Sequence, residues 1–142
     1  DLSLATPGGA ATTLGLHLAT GTATVVSLWA TWCGPCSNEA AHLAEVRSRI
    51  STERLNIVGI NVDSKPDEAK IANFLKRSGV NFTQLRGESK ATYLAFNGQL
   101  PISLPRLYIF VPSGAPAKVF GRYDGRSTLR AIDQAIETAM KT

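Results

Sequence analysis

The chain has 142 residues, 44% of them hydrophobic and 18% charged, and a formal net charge of +4. This apolar content excludes intrinsic disorder, and no apolar run reaches the roughly 18 residues that a membrane-spanning helix needs. The 15 basic residues are scattered along the chain, which argues against a nucleic-acid-binding surface. The length predicts a single domain over residues 1–142.

The N-terminal segment alternates weakly in hydropathy and predicts a β-hairpin. Leu2 and Leu4 would share one face of its first strand. A Thr-Pro-Gly-Gly turn over residues 6–9 would follow. The second strand would present alternate leucines on one face, namely Leu14, Leu16 and Leu18. No signal peptide is recognisable in this segment.

The rest of the chain alternates between strand and helix patterns. Apolar, β-rich runs predict strands over residues 24–30, 55–62, 82–85, 107–111 and 118–120. Helical spacing predicts helices over residues 35–50, from 63–68 to 79, over 88–96 and from 127 onward. Strands that alternate with helices pair in parallel, with helices on both faces of the sheet. The last two strands form an antiparallel hairpin around the turn at 112–114. The order therefore predicts an α/β fold.

Two cysteines, Cys33 and Cys36, enclose Gly34 and Pro35 where the first buried strand meets its helix. A disulfide between them would close almost no loop and so add little stability. The N-terminus of a helix favours the thiolate form of a cysteine. The spacing therefore indicates redox chemistry, in which Cys33 attacks a substrate disulfide and Cys36 resolves the mixed disulfide.

Two other interpretations of the pair are a zinc half-site and an inert pair of buried thiols. Zinc needs four ligands, usually cysteine or histidine. Only His17 and His42 remain, neither beside a second cysteine pair, and we interpret both as surface or partly packed residues. The Trp-Cys-Gly-Pro-Cys sequence at a strand–helix junction favours the redox interpretation.

Residues 27–36, Ser-Leu-Trp-Ala-Thr-Trp-Cys-Gly-Pro-Cys, resemble the active-site strand and loop of the thioredoxin superfamily. Residues 61–63 and 104–110 resemble the end of that fold's next strand and its cis-proline segment. The N-terminal hairpin and the insert over residues 65–99 resemble the extracytoplasmic TlpA/ResA-like reductases, which include the cytochrome c maturation thioredoxins. The resemblance implies a thioredoxin-like three-layer α/β/α sandwich with a mixed central sheet and an N-terminal β-hairpin.

The resemblance also implies roles for the residues of the Cys-Gly-Pro-Cys loop. Cys33 matches the exposed nucleophile and Cys36 the resolving thiol. Trp32, Gly34 and Pro35 match the surface that meets the substrate, although Trp32 has an equally good interpretation as a packing residue of the loop.

A second segment of the implied substrate site follows residue 103. Pro105 matches the cis-proline that faces the disulfide, and this leaves the Leu104 backbone free to pair with substrate in a strand-like way. Arg106 replaces the small residue more usual in the family. If it faces the disulfide, it favours the Cys33 thiolate and attracts acidic partners. The alternative is a solvated arginine.

Ser27 is a departure from the pattern, because thioredoxins carry a buried acid six residues before the first cysteine. A hydroxyl cannot accept the Cys36 proton as a carboxylate can, so another group or water must serve. Asp63 is a candidate at the end of the neighbouring strand, and its alternative role is the N-cap of the next helix. Glu39 is expected to point to solvent. The Gly-Val-x-Gly-x-Pro-Glu-Thr stretch of cytochrome c maturation thioredoxins is absent around Pro105, which disfavours a haem-maturation role.

Three functions remain open for such a pair: a dithiol reductase, a disulfide oxidase or isomerase, and a redox-switched or Cu(I)-transferring module. The Gly-Pro dipeptide favours the reductase, because no histidine between the cysteines stabilises the thiolate. Close thiolates bind Cu(I), but Met140 is the one methionine of the chain.

The resemblance also implies the surroundings in which such a protein works. It implies no cofactor or metal beyond the Cys33–Cys36 disulfide. Its partners would be disulfide-containing protein substrates and a membrane or soluble thiol electron donor, with no nucleic acid. The implied location is extracytoplasmic, in a bacterial periplasm or anchored facing it. We expect a monomer.

Overall fold

The computed structural model describes residues 1–18 and 20–142, and its centre is a seven-stranded mixed sheet. The strands are β1 (Ser3–Ala5), β2 (Ala11–Thr13), β3 (Ala23–Trp29), β4 (Leu55–Asn61), β5 (Thr83–Arg86), β6 (Arg106–Phe110) and β7 (Pro116–Phe120). The helices are α1 (Gly34–Arg49), α2 (Glu68–Ser78), α3 (Ser89–Ala95) and α4 (Arg126–Met140), with a 3-10 helix over Leu14–His17.

The strand order in the sheet is β2-β1-β5-β4-β3-β6-β7. Strands β3, β4 and β5 pair in parallel, as the alternation of strands and helices predicted. Strand β6 runs antiparallel to β3 and to β7, and β1 runs antiparallel to β2 and to β5. The predicted mixed sheet is therefore confirmed, with β3 at its interior.

Successive residues of a strand point to opposite sides of the sheet. Both faces therefore carry apolar side chains, and helices cover both. On one face, Leu43 of α1 and Ile132 of α4 pack against Val25 of β3. On the other face, Tyr93 of α3 packs with Val26. The predicted three-layer α/β/α arrangement is confirmed, and α1 with the cysteine pair lies over the middle of the sheet.

The N-terminal hairpin forms, but its second half differs from the prediction. Strand β2 pairs with β1 over three positions, from Ala5↔Ala11 to Ser3↔Thr13. The Gly15 N–H then donates to the Asp1 carboxylate at 3.1 Å, and the chain turns into the 3-10 helix. Residues 14, 16 and 18 therefore do not share a strand face, because the chain leaves the ladder before it reaches them.

Helix α2 begins at Glu68, the last residue of the predicted 63–68 start. The Asp67 carboxylate caps it and accepts hydrogen bonds from the Ala69 and Lys70 N–H groups. Gly79 ends it with a φ of 69°, the left-handed conformation that glycine adopts without strain. Among residues 1–18 and 20–142, no helix combines the length and the apolar character needed to cross a membrane.

Candidate redox site

Cys33 and Cys36 form a disulfide at the N-terminus of α1, with their Cα atoms 5.4 Å apart. Cys33 is the N-cap residue, and α1 starts at Gly34 and carries Pro35 in its first turn. Proline is tolerated there because the first N–H groups of a helix have no partner within it. These free N–H groups and the helix dipole stabilise negative charge on a reduced sulfur at the cap.

Apolar side chains enclose the inner side of the disulfide. Cys36 is 1% exposed and belongs to a buried cluster with Trp29, Ile71 and Phe74. The Trp29 and Phe74 rings stack with their centroids 4.2 Å apart. The Trp29 Nε1–H donates to Gln84 Oε1 at 3.0 Å, which satisfies the polar atom of the buried ring. This wall keeps water from the Cys36 side of the disulfide.

Exposed residues border the outer side of the site, but Cys33 itself is only 4% exposed. The expectation of an exposed nucleophile is corrected for the disulfide form, because Cys33 is bonded to Cys36 and packs in the same buried cluster. Trp32 is 62% exposed, directly before the first cysteine of the disulfide. Gly34 and Pro35 are also exposed. The three residues thus flank the disulfide on the solvent side, whereas their part in binding a substrate stays a prediction.

The segment before β6 lies next to the disulfide cluster. Leu104 packs against the cluster that contains Cys33 and Cys36. The Leu104–Pro105 peptide bond is cis, as the resemblance predicted. The structure therefore brings this segment and the disulfide together, and pairing of the Leu104 backbone with a substrate remains a prediction.

Arg106 fits neither of the two alternatives weighed for it. Its guanidinium is partly buried, donates from Nε to the Tyr108 hydroxyl at 2.9 Å and lies over the Tyr93 and Tyr108 rings. Burial alone would lower the pKa of Arg106, but the Tyr108 hydrogen bond and the two phenol groups raise it. Arg106 stands opposite Leu28 in the sheet, which belongs to the core on the α3 side. The expectation of a solvated or disulfide-facing arginine is therefore corrected. Tyr93 and Tyr108 hold the guanidinium on the α3 side of the sheet.

Asp63 ties two neighbouring chain segments together. Its carboxylate accepts hydrogen bonds from the Thr31 N–H at 3.1 Å, from the Thr31 hydroxyl at 3.1 Å and from Asn61 Nδ2 at 2.9 Å. The alternative role as the N-cap of α2 is wrong, since Asp67 occupies that position. A role of Asp63 as the proton acceptor of Cys36 stays a prediction, and the contacts show that this carboxylate fixes the loop before Trp32.

Glu39 was expected to point to solvent, and this expectation is wrong. Its side chain is 2% exposed on the inner face of α1, three residues after Cys36. Burial raises the pKa of Glu39 from 4.5 to about 7. Its Oε1 atom has no hydrogen-bond partner within the described part of the chain. The sequence held one signal of this placement, because Glu39 falls between Cys36 and Leu43 on the stripe that helical spacing turns inward.

The two histidines lie away from the disulfide pair. His42 Nε2 lies 2.7 Å from Asp133 Oδ1 and links α1 to α4. His17 Nε2 lies 3.0 Å from the Thr12 hydroxyl. Within residues 1–18 and 20–142, no three His, Cys, Asp or Glu side chains come together as a metal site would require.

A mixed sheet between helical layers, with a disulfide at the strand–helix junction and a cis-proline segment beside it, defines a protein of the thioredoxin-like class. The model of the AhpC/TSA family matches residues 1–115. Since this match covers most of the chain, the protein belongs to the AhpC/TSA family. The resemblance to the thioredoxin superfamily is thereby confirmed.

Solved structures share the fold over nearly the whole chain. One is a thiol:disulfide interchange protein of the thioredoxin family from Chlorobium tepidum, with 22% identity and a TM-score of 0.75 over 98% of this chain and 92% of that one. Another is a secreted thiol-disulfide isomerase from Corynebacterium glutamicum, with 17% identity and a TM-score of 0.81 over 100% of this chain and 84% of that one. At identities this low, the structural likeness shows that the fold is shared and no more.

Curated relatives match a shorter segment. A thioredoxin of Mycobacterium bovis is 39% identical over 46 residues, which are 32% of this chain. The match spans 39% of the length of that thioredoxin.

Proposed function

We propose that this protein is a thiol-disulfide oxidoreductase that works as a dithiol reductase of protein disulfides. The observation that carries the proposal is the Cys33–Cys36 pair at the N-terminus of α1, with exposed Trp32 beside Cys33 and apolar side chains behind Cys36. A stabilised thiolate at the helix end and a second thiol within bonding distance are what disulfide exchange needs.

The first step joins Cys33 to the substrate. In the reduced protein, the Cys33 thiolate attacks one sulfur of a substrate disulfide. The substrate S–S bond breaks, a bond forms between Cys33 Sγ and that sulfur, and the other substrate sulfur leaves as a thiolate that takes a proton from solvent. Exposed Trp32, Gly34 and Pro35 supply the surface on which the substrate rests, and the Leu104 backbone pairs with it.

The second step releases the substrate. Cys36 loses its proton and attacks Cys33 Sγ, so that the Cys33–Cys36 disulfide forms and the second substrate sulfur leaves as a thiolate. Two electrons have then passed from the protein to the substrate. An external thiol donor returns them by the reverse exchange.

Glu39 is suited to accept the Cys36 proton in this second step. Residues three apart on a helix are neighbours on one face, and both side chains are buried on the inner face of α1. A general base works best when its pKa is close to the working pH, and burial places the pKa of Glu39 at about 7. Glu39 thus takes the task for which the sequence, with Ser27 in place of an acid, named Asp63.

The residues between the cysteines support the proposed direction of electron flow. Glycine and proline carry no charge and no imidazole, so the Cys33 thiolate gains no stabilisation from them. A less stabilised reduced form makes the couple more reducing. The reductase is therefore favoured over an oxidase or isomerase. By its likeness to a secreted protein, it is proposed to act outside the cytoplasm on oxidised proteins, with a membrane or soluble thiol donor.

Trapping with single cysteine variants tests the proposal. Cys33→Ser should lower the reduction of a disulfide protein by dithiothreitol to the rate of dithiothreitol alone, because it removes the nucleophile. Cys36→Ser should accumulate a mixed disulfide with the substrate, visible by non-reducing electrophoresis and by mass. The Cys33→Ser/Cys36→Ser double variant is the control for thiol-independent association. Trapping by Cys33→Ser instead would reverse the two roles, and full reductase activity in either single variant would refute the mechanism.

A further inference from the structure

A groove crosses the sheet face opposite α1 and α4, away from the disulfide. Its volume of about 680 Å³ lies within the range of roughly 300–1,000 Å³ typical of small-molecule sites. Its lining is largely apolar and includes Leu2, Leu14, Phe96, Tyr108, Phe110 and Val119. None of the two cysteines, Trp32 or Pro105 contributes to it.

The groove exists because the helices of the described residues leave this part of the sheet uncovered. Helix α3 places Tyr93 on the same face, and β6 and β7 extend beyond it. Tyr108 of β6 pairs with Val119 of β7, and Val119 is 47% exposed. The groove therefore presents apolar side chains at a surface that a ligand can reach from water.

Arg106 makes one end of the groove positively charged. Among the described residues that line the groove, it is the one that carries a charge, and it lies at the end of β6 nearest the Leu104–Pro105 segment. Its guanidinium carbon lies 5.5 Å from the Tyr93 ring centroid and 5.6 Å from that of Tyr108. No carboxylate of residues 1–18 and 20–142 forms a salt bridge with it. The groove thus offers an immobilised cation that lacks an anion beside it.

We propose that this groove binds a small amphipathic monocarboxylate. The carboxylate pairs with Arg106, which has five N–H donors of which the Tyr108 hydroxyl takes one. The apolar body of the ligand lies along Tyr108 and Phe110, over a strand length of about 13 Å from Arg106 to Phe110. A lone guanidinium at the end of an apolar groove attracts an anionic head and rejects a cationic one.

Titration of the full-length oxidised protein with decanoate tests the proposal, by calorimetry and by amide chemical shifts. Binding should saturate at one ligand per chain and shift the amides of Tyr108, Phe110, Gly114 and Val119. Decanol and decyltrimethylammonium, which keep the chain but not the anion, should bind at least about tenfold more weakly, the loss expected for one charge-assisted hydrogen bond.

Two variants locate the head group. Arg106→Met should weaken decanoate binding by at least about tenfold, whereas Arg130→Met, at an exposed arginine of α4, should leave it unchanged. If Arg106→Met does not fold, Val119→Glu puts a negative charge at the exposed rim of the groove and should weaken binding in the same direction.

Several results would overturn the proposal. These are the absence of saturable decanoate binding, equal affinity for the cationic analogue, or unchanged affinity in both groove variants. A dimer in sedimentation velocity that decanoate leaves intact and Val119→Glu dissociates would assign the groove to a second copy of the chain instead.

Discussion

Glu39 lies three residues after Cys36 on the buried face of α1, so the carboxyl group and the resolving sulfur share the same side of one helix. Burial raises the pKa of Glu39 to about 7. Position 27 in β3 is a serine and provides no buried acid. The buried acid near the disulfide comes from α1 instead.

The first prediction concerns the stability of the oxidised protein. Because the folded-state pKa of Glu39, about 7, exceeds its usual value of 4.5, the folded protein holds a proton that the unfolded chain has released between these two pH values. Its stabilising contribution is therefore complete below about pH 4.5 and is lost as the pH rises through about 7. We expect the free energy of unfolding to fall by about 3 kcal/mol across this window because of Glu39.

Urea unfolding at a series of pH values measures this loss. Glu39→Gln should remove this part of the pH dependence, since an amide does not titrate. The matched control is Glu45→Gln on the same helix, where the side chain is 63% exposed and pairs with Arg49. A Glu39→Gln profile that parallels the wild-type profile would show that Glu39 does not titrate in this range.

The second prediction concerns the resolving step. If Glu39 accepts the Cys36 proton, Glu39→Gln should slow the decay of the Cys33–substrate mixed disulfide near pH 7 by up to about a hundredfold. Rapid-quench single-turnover reduction, followed by alkylation and mass spectrometry, measures this rate. The formation of the mixed disulfide should change much less, which separates proton acceptance from a general loss of structure. If Asp63→Asn slows the decay and Glu39→Gln does not, Asp63 is the acceptor.

The third prediction contrasts two aspartates near the start of α2. The Asp63 carboxylate accepts hydrogen bonds from Thr31 and Asn61, and the side-chain NH₂ group of Asp63→Asn cannot accept them. The substitution should therefore lower the free energy of unfolding by about 1–3 kcal/mol. Asp67→Asn should change it by only a few tenths of a kcal/mol, because asparagine caps a helix about as well as aspartate. Guanidinium denaturation of the two variants and of the wild type measures both losses. Equal losses would mean that Asp63 has no special role in the loop.

The fourth prediction concerns the wall behind the disulfide. Phe74→Ala removes a 2% exposed ring that stacks on Trp29, so it should cost about 3–5 kcal/mol of stability. The partly opened wall should also admit water to Cys36 and increase the reactivity of its thiol toward iodoacetamide in the reduced protein. Val119→Ala, at an exposed position, should cost about 0.5 kcal/mol or less. If Phe74→Ala also lowered the free energy of unfolding by only about 0.5 kcal/mol, the packing of Phe74 against Trp29 would be contradicted.

The elements that position the disulfide could be predicted because their sequence signals are local. The apolar run of β3 and the cysteine spacing at the start of α1 specify a strand, a turn and a helix in succession. The alternation of strands and helices then implies the parallel pairing of β3 with β4. The sequence did not predict the turn after Thr13, because the number of residues that β1 offers for pairing depends on the sheet as a whole.

The side chains that were placed wrongly depend on tertiary contacts. A glutamate is assigned to solvent by default since burying a charge is costly, yet Glu39 lies inside because the carboxyl can stay protonated there. Arg106 has a place at the groove only because β6 brings it to the tyrosines of two different elements. Asp63 and Asp67 both precede α2 in the sequence, and only the path of the chain decides which one caps it.

The reduction potential of the Cys33–Cys36 couple tests the central proposal most directly. It is measured by equilibrating the protein in glutathione and dithiothreitol buffers, trapping with acid and alkylation, and fitting the fraction oxidised. A dithiol reductase should have a midpoint below that of the glutathione couple, near the roughly −270 mV of thioredoxins. A midpoint near about −120 mV, the value of a strong disulfide donor, would contradict the reductase and assign the protein to disulfide formation.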